Sequence, residues 1–190
     1  MKTVMFFFLL AISLVGKTQS LLEPGKLWSN TSVGTEIGGS YSSYYIQFEG
    51  DTIIDDFEYM KILRSDESSR ENWYTNGYIR EDTSGKVFVL PEGGSGEELV
   101  YDFGLKTGDS IHAKELKLVV DTVIYDEFGN SDDTFKHITF DGYETTWIEG
   151  VGSTKGVLEG LLNIGLTGED RYLVCYHENA ELVYQDQNFD

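Results

Sequence analysis

From Tyr44 onward the chain alternates apolar and polar residues in short runs, rich in β-branched and aromatic side chains and separated by Gly, Asp, Asn or Ser. Successive side chains of a strand point to opposite faces, so this period of two predicts half-buried strands; no stretch carries the 3.6-residue stripe of an amphipathic helix. The predicted strands run Tyr44 to Glu49, Ile53 to Leu63, Asn72 to Glu81, Lys86 to Leu90, Glu97 to Phe103 and Leu116 to Asp126. Four more follow: Thr134 to Asp141, Glu144 to Glu149, Arg171 to His177 and Glu181 to Tyr184. Between them sit Gly50-Asp51, Thr83-Ser84-Gly85, Phe128-Gly129-Asn130, Asp141-Gly142 and Glu178-Asn179-Ala180, residues that tolerate the positive φ of tight turns. Consecutive strands are therefore expected to pair antiparallel. Leu116, Leu118 and Val120 against Lys117 and Asp121, or Ile138 and Phe140 against His137 and Thr139, give each strand one apolar face. The fold class expected is all-β, an antiparallel meander of about ten strands forming a sandwich or partly closed barrel.

Three segments depart from this rhythm. Ser65 to Arg70 form a polar loop, and Gly150 to Asp170 carry six glycines with no clean strand beyond a short candidate at Gly156 to Leu162. A connection of that length is expected to be functional or mobile, with a surface excursion as the alternative. At the start, Lys2, the apolar run Val4 to Val15 and the small-x-small triplet Thr18-Gln19-Ser20 read as a secretory signal peptide over residues 1–20. The run is shorter than the roughly 20 residues of a spanning helix, and none like it recurs, so no transmembrane segment is expected after cleavage. Residues 21–190 then form a single all-β domain of ordinary size.

Charge narrows the partners. With 33 acidic and 14 basic residues the net charge is −19, and loss of Lys2 and Lys17 with the leader takes it to −21. Such a surface repels nucleic acid and anionic lipid, favours solubility, and attracts cations or basic partners. Cys175 is the single cysteine, so no intrachain disulfide forms; within Leu173-Val174-Cys175-Tyr176 it reads as a small buried hydrophobe rather than a catalytic thiol, although His177 lies two residues on.

The motif search finds no built-in catalyst. Trp147 to Gly156 resembles a phosphate loop in composition, but its order fits neither a Walker loop nor a dinucleotide fingerprint, and Ser153 lacks the flanking glycines of a hydrolase elbow. His112, His137 and His177 lie on three segments without metal-ligand spacing. Glu149 and Asp102 each follow aromatic residues in apolar runs and are the candidate carboxylates for a hydrolase. Asp126 to Asp133 string together oxygen donors, so Asp126, Asn130, Asp132 and Asp133 are candidate calcium ligands, calcium being the one cofactor the residues invite. Tyr41, Tyr44, Tyr45, Phe48, Phe57, Tyr59, Trp73, Tyr74 and Tyr78 concentrate aromatic surface in the first half, suited to a sugar ring or a protein if it is exposed.

The segments YYIQFEGDTII, GYIREDTSGKVFVL, ELVYDFGLKTGDSI, TTWIEGVGSTKGVL and LVCYHENAELVY, in that order, resemble a family of secreted proteins from Bacteroidetes-type bacteria. The likeness spans nearly all of residues 21–190, with Arg80-Glu81, Tyr101-Asp102-Phe103, Gly108-Asp109, Trp147 to Gly150, Gly152-Ser153 and Leu173 to Asn179 as its most specific pieces. Members often carry a C-terminal sorting domain read by the type IX secretion system; none is recognised before Asp190, so the resemblance implies export, to the periplasm, cell surface or medium, without implying a means of attachment. It implies no catalytic residues. The expectation is an exported, non-catalytic binding or structural module of the envelope or extracellular space, with a protein or glycan partner. The alternatives are an extracellular hydrolase of polysaccharide or peptide and a calycin-like barrel holding a small apolar ligand.

Overall fold

Strand alternation and turn chemistry organise nearly everything that the computed structural model describes, namely residues 19–34, 40–113, 115–161 and 169–189. The signal peptide proposed over residues 1–20 thus lies outside the described residues except for Gln19 and Ser20. The described residues contain no helix and form thirteen strands in two antiparallel sheets, an all-β sandwich or partial barrel. The first eleven are β1 (Lys26–Gly34), β2 (Tyr41–Ile54), β3 (Phe57–Ser65), β4 (Tyr74–Glu81), β5 (Lys86–Pro91), β6 (Glu98–Asp102), β7 (Ser110–Ala113), β8 (Leu116–Glu127), β9 (Thr134–Phe140), β10 (Thr146–Ile148) and β11 (Gly152–Ser153). The chain ends with β12 (Glu169–Glu178) and β13 (Glu181–Gln185). One sheet runs β13-β12-β1-β2-β3-β4-β5-β6 and the other β11-β10-β9-β8-β7.

Consecutive strands pair as expected within each run. The meander is broken by β1, which lies between β2 and β12 and so joins the two ends of the chain in one sheet. Periodicity does not reveal β1, because its sequence KLWSNTSVG places Asn30, Thr31 and Ser32 in buried positions, where an apolar alternation would have put hydrophobes. The short strands β7 and β11 were likewise not predicted.

The first hairpin corrects the turn assignment. Gly50-Asp51 is not a turn; the register of β2 against β3 shifts between Glu49 and Asp51, and Gly50, at φ +64°, is a bulge inside a long strand. The reversal falls at Asp55 and Asp56, both at positive φ, between the paired Ile54 and Phe57, inside what reads in sequence as one strand from Ile53 to Leu63. Two residues in the left-handed region are what a two-residue hairpin loop needs, and aspartate is one of the few non-glycine residues that tolerates it.

Between the sheets lies one packed core. Trp28, Ile46, Ile62, Ile79, Leu173 and Tyr176 from the larger sheet meet Leu118, Ile138, Phe140, Trp147 and Ile148 from the smaller, all of them buried. Trp28 stacks obliquely on Phe48 and Tyr176, with ring centroids 4.8 and 5.5 Å apart, and Tyr101 meets the edge of Trp147 at 5.1 Å.

The glycine-rich stretch after Trp147 is the second correction. As far as Leu161 it is neither a surface excursion nor a free loop: Gly150 to Ser153, Gly156, Val157, and Glu159 to Leu161 are all buried. Its backbone groups are satisfied one by one, with Val151 O accepting from Trp28 Nε1 (2.8 Å), Val157 O from the Tyr101 hydroxyl (2.8 Å), and Leu161 N–H donating to Val100 O (2.8 Å). A Cβ on Gly160 would stand 2.2 Å from Val100 O, so the close approach needs glycine there. The segment plugs the sandwich, and no strand forms over the described part of Gly156 to Leu162.

Candidate functional site

A groove opens where β2 outruns its neighbour. β1 pairs with β2 only as far as Leu27 opposite Gln47, whereas β2 continues against β3 to Ile54. Upstream of Leu27 the chain turns away through Pro24 and Gly25, held by the Asn179 N–H donating to Gly25 O at 2.9 Å. What remains is an open groove of about 710 Å³, with Pro24, Gly25 and Lys26 on one wall and Gln47 to Asp51 on the other. His177, Ala180 and Arg70 close its end, and Met60 contributes from β3. A smaller depression of about 330 Å³ shares Asp51 and Met60 with it and continues along β3 to Phe57, Tyr59 and Arg80.

Sequence patterning puts each wall residue in place. Leu27, Gln47 and His177 stand side by side across three paired strands and are half-buried. Arg70 reaches the groove from the polar loop after β3, at φ +53°, with its guanidinium 5.4 Å from the centre of the Tyr45 ring. His177 Nδ1 is buried without a hydrogen-bond partner. Burial, and then the Arg70 charge, push the His177 pKa down, which favours a neutral imidazole. Lys26 points away from the groove and inward: its Nζ donates to Ser20 O (2.6 Å) and Gly150 O (2.8 Å), and burial lowers its pKa against the pull of Glu178, Glu23 and Glu81. Below the groove, Arg80 is sandwiched between Phe57 and Phe88, at 4.5 and 4.3 Å, and bonded to Glu97, which also accepts from Tyr59.

The carboxylate pair does not line this groove. Asp102 caps its own turn by accepting from Gly104 N–H (3.0 Å) and pairs with Lys86 at 3.5 Å. Glu149 follows the last residue of β10, its N–H donating to Lys136 O at 2.9 Å; it is half-buried, and burial raises its pKa, countered by Lys136 and reinforced by Glu81. Lys136 is the neighbour common to both, feeling the charge of Glu149 and of Asp102. A carboxyl that holds its proton more tightly in the native than in the unfolded chain makes stability fall as pH rises from the ordinary carboxylate range through the raised native value. Glu149→Gln is therefore expected to stabilise the fold at neutral pH by no more than ~1 kcal/mol given the half-exposed site, seen as a small rise in the thermal midpoint. A lower midpoint than that of the native chain would contradict this.

The candidate calcium ligands sit on the β8–β9 hairpin. Asp126, Asn130, Asp132 and Asp133 are exposed; Asp126 Oδ1 accepts from Glu127 N–H (2.9 Å), and Asn130 N–H donates to Val183 O (2.6 Å), tying the hairpin to β13. Among the described residues no group of three or more His, Cys, Asp or Glu is arranged to hold a metal ion. Ser153 is fully buried, sharing a hydrogen bond with the Thr145 hydroxyl at 3.0 Å. Cys175 is half-buried and its thiol pKa is pushed up by burial. Of the aromatic cluster, Tyr41, Phe57 and Tyr74 are exposed, whereas Tyr44, Phe48 and Tyr59 are core. Sequence reasoning missed the groove because its cause, the ending of β1, lies in a strand the pattern does not reveal.

No helix among the described residues is long and apolar enough to cross a membrane. Comparison with known proteins finds no family model that matches the chain and no match among curated proteins or solved structures.

Proposed function

We propose that this chain is an exported, non-catalytic binding module of the bacterial envelope or extracellular space, and that it holds a protein or glycan of that environment in the groove beside β2. The observation that carries this reading is the groove itself. It is open, and it sets the apolar Leu27, Phe48 and Met60 beside the polar Gln47, Arg70 and His177. Binding sites combine apolar lining with a few polar groups in this way. The interior offers less room, because Trp28, Tyr101, Trp147 and Tyr176 occupy the space between the sheets.

Export rests on the leader and on the resemblance read in the sequence. The test is a glycan array together with pull-downs from envelope material, repeated with Gln47→Ala/Arg70→Ala. The double variant removes two polar contacts from the wall and is expected to weaken capture by about tenfold, or ~1.4 kcal/mol, without changing the circular dichroism. Undiminished capture by the double variant would remove the groove from the account.

One observation favours a second reading, a carboxylate-dependent hydrolase: burial raises the pKa of Glu149, as a general acid requires. Unchanged turnover of any substrate by Glu149→Gln would end it.

A further inference from the structure

We infer that the occupant of the groove is an extended basic segment of another protein, added as a strand to the free edge of β2; this rests on the groove being the binding site. From Phe48 to Ile54, β2 has a partner only on the β3 side. On the other side of this two-stranded arm, β4 begins pairing with β3 at Met60 opposite Ile79, so Phe57 to Tyr59 have no strand partner there either. An edge strand presents a row of backbone donors and acceptors to whatever chain approaches it, and the groove is the space along that edge. At about 3.3 Å per residue the free part of β2 is roughly 20 Å long, enough to register six or seven residues of an incoming strand.

Charge selects the incoming chain. Glu49, Asp51, Asp55, Asp56 and Glu58 all lie between Phe48 and Tyr59 and all are exposed; they outnumber the exposed cations beside them, Lys61 opposite Glu49 on β3 and Arg70 at the end of the groove. A second copy would bring the same acidic edge against this one, and like charges directly opposite are destabilising. A basic strand meets the opposite condition, and the net charge of −19 adds steering toward it. The face of the arm that carries Asp51 also carries Ile53, 77 % exposed, two residues on. The matching partner therefore carries a basic and a β-branched side chain two positions apart, on the same face of its strand.

The probe is a labelled peptide of about twelve residues repeating Lys-Lys-Val-Val, so that each face carries lysine and valine in turn, titrated by fluorescence anisotropy into the folded chain at low and at physiological ionic strength. Binding is expected, with amide hydrogen exchange slowed from Phe48 to Ile54. Glu49→Lys/Asp51→Lys, two exposed changes, is expected to weaken it about tenfold or more. The same peptide N-methylated at alternate backbone nitrogens keeps its charge but loses its ladder bonds, and is expected not to bind. Equal affinity of the N-methylated peptide, or binding without protection of residues 48–54, would overturn strand addition. If the lysine peptide does not bind but a glycan does, and Gln47→Ala/Arg70→Ala weakens that glycan, the groove stands and the basic strand is excluded. Protection of residues 48–54 by self-association, seen in analytical ultracentrifugation, would assign the edge to a second copy and overturn the inference. If no probe binds at the groove, both readings fall.

Discussion

Replacing Arg171 with methionine is expected to cost about 3 kcal/mol of folding stability, the low end of what breaking a buried ion pair costs. Arg171 Nη1 donates to both carboxylate oxygens of Glu159, at 2.9 and 3.0 Å, and its Nη2 donates to Glu169. The two partners are unequal: the Glu159 side chain is 6 % exposed and that of Arg171 32 %. Removing the guanidinium takes two short charge-assisted bonds from a desolvated carboxylate, each stronger than the 3.4 Å bond it accepts from the Tyr44 hydroxyl. Glu159 sits in the plug between Val157 and Leu161, so the plug should loosen with it, and amides from Ser153 to Leu161 should exchange faster while those of β8 and β9 do not. Replacing both partners by methionine is expected to recover part of the loss, since no charge is then left buried. A single-variant cost below ~1 kcal/mol in urea unfolding would mean that water reaches Glu159 and that the pair is a surface one.

The same residues show what sequence patterning can and cannot carry. Alternation located ten strands, because a half-buried strand must alternate and β2, β5 and β8 do so plainly. It failed at β1, whose buried positions hold Asn30, Thr31 and Ser32. Ser32 shares a hydrogen bond with Ser42 on β2 at 2.8 Å, and Thr31 donates to Ser42 O at 3.3 Å. Those partners come from another strand, so tertiary structure alone makes polar residues acceptable there. It failed also at Gly50, where turn chemistry is correct for a positive φ but does not distinguish a reversal from a bulge; that distinction rests on pairing with β3. Both failures bear on the groove, which exists because β1 begins late and β2 runs on through a bulge. Glycine content marked Gly150 to Asp170 as unusual, yet Gly150, Gly152, Gly156 and Gly160 permit close packing over the part that is described, and polarity alone does not separate that role from a mobile loop.

The two buried tryptophans should separate under conservative replacement. Truncating either Trp28 or Trp147 to alanine is expected to cost about 3–5 kcal/mol, because each is fully buried among aromatic rings and neither cavity can close without moving a strand. Phenylalanine keeps most of the apolar area and isolates the indole N–H. Trp28 Nε1 donates to Val151 O at 2.8 Å, joining β1 of the larger sheet to the turn between β10 and β11 of the smaller one. Trp28→Phe deprives that buried carbonyl of its indole donor and unties the two sheets at the point where the plug begins, at a cost of about 1–3 kcal/mol beyond the lost area. Trp147 Nε1 is buried with no hydrogen-bond partner, so Trp147→Phe removes an unsatisfied donor along with some packing. The expected order in urea unfolding followed by circular dichroism is therefore Trp28→Phe more destabilised than Trp147→Phe by about 1 kcal/mol or more. The reverse order would mean that packing around Trp147 outweighs the hydrogen bond of Trp28. The link between the sheets would then rest on shape alone, and Val151 would find another donor when the indole is gone.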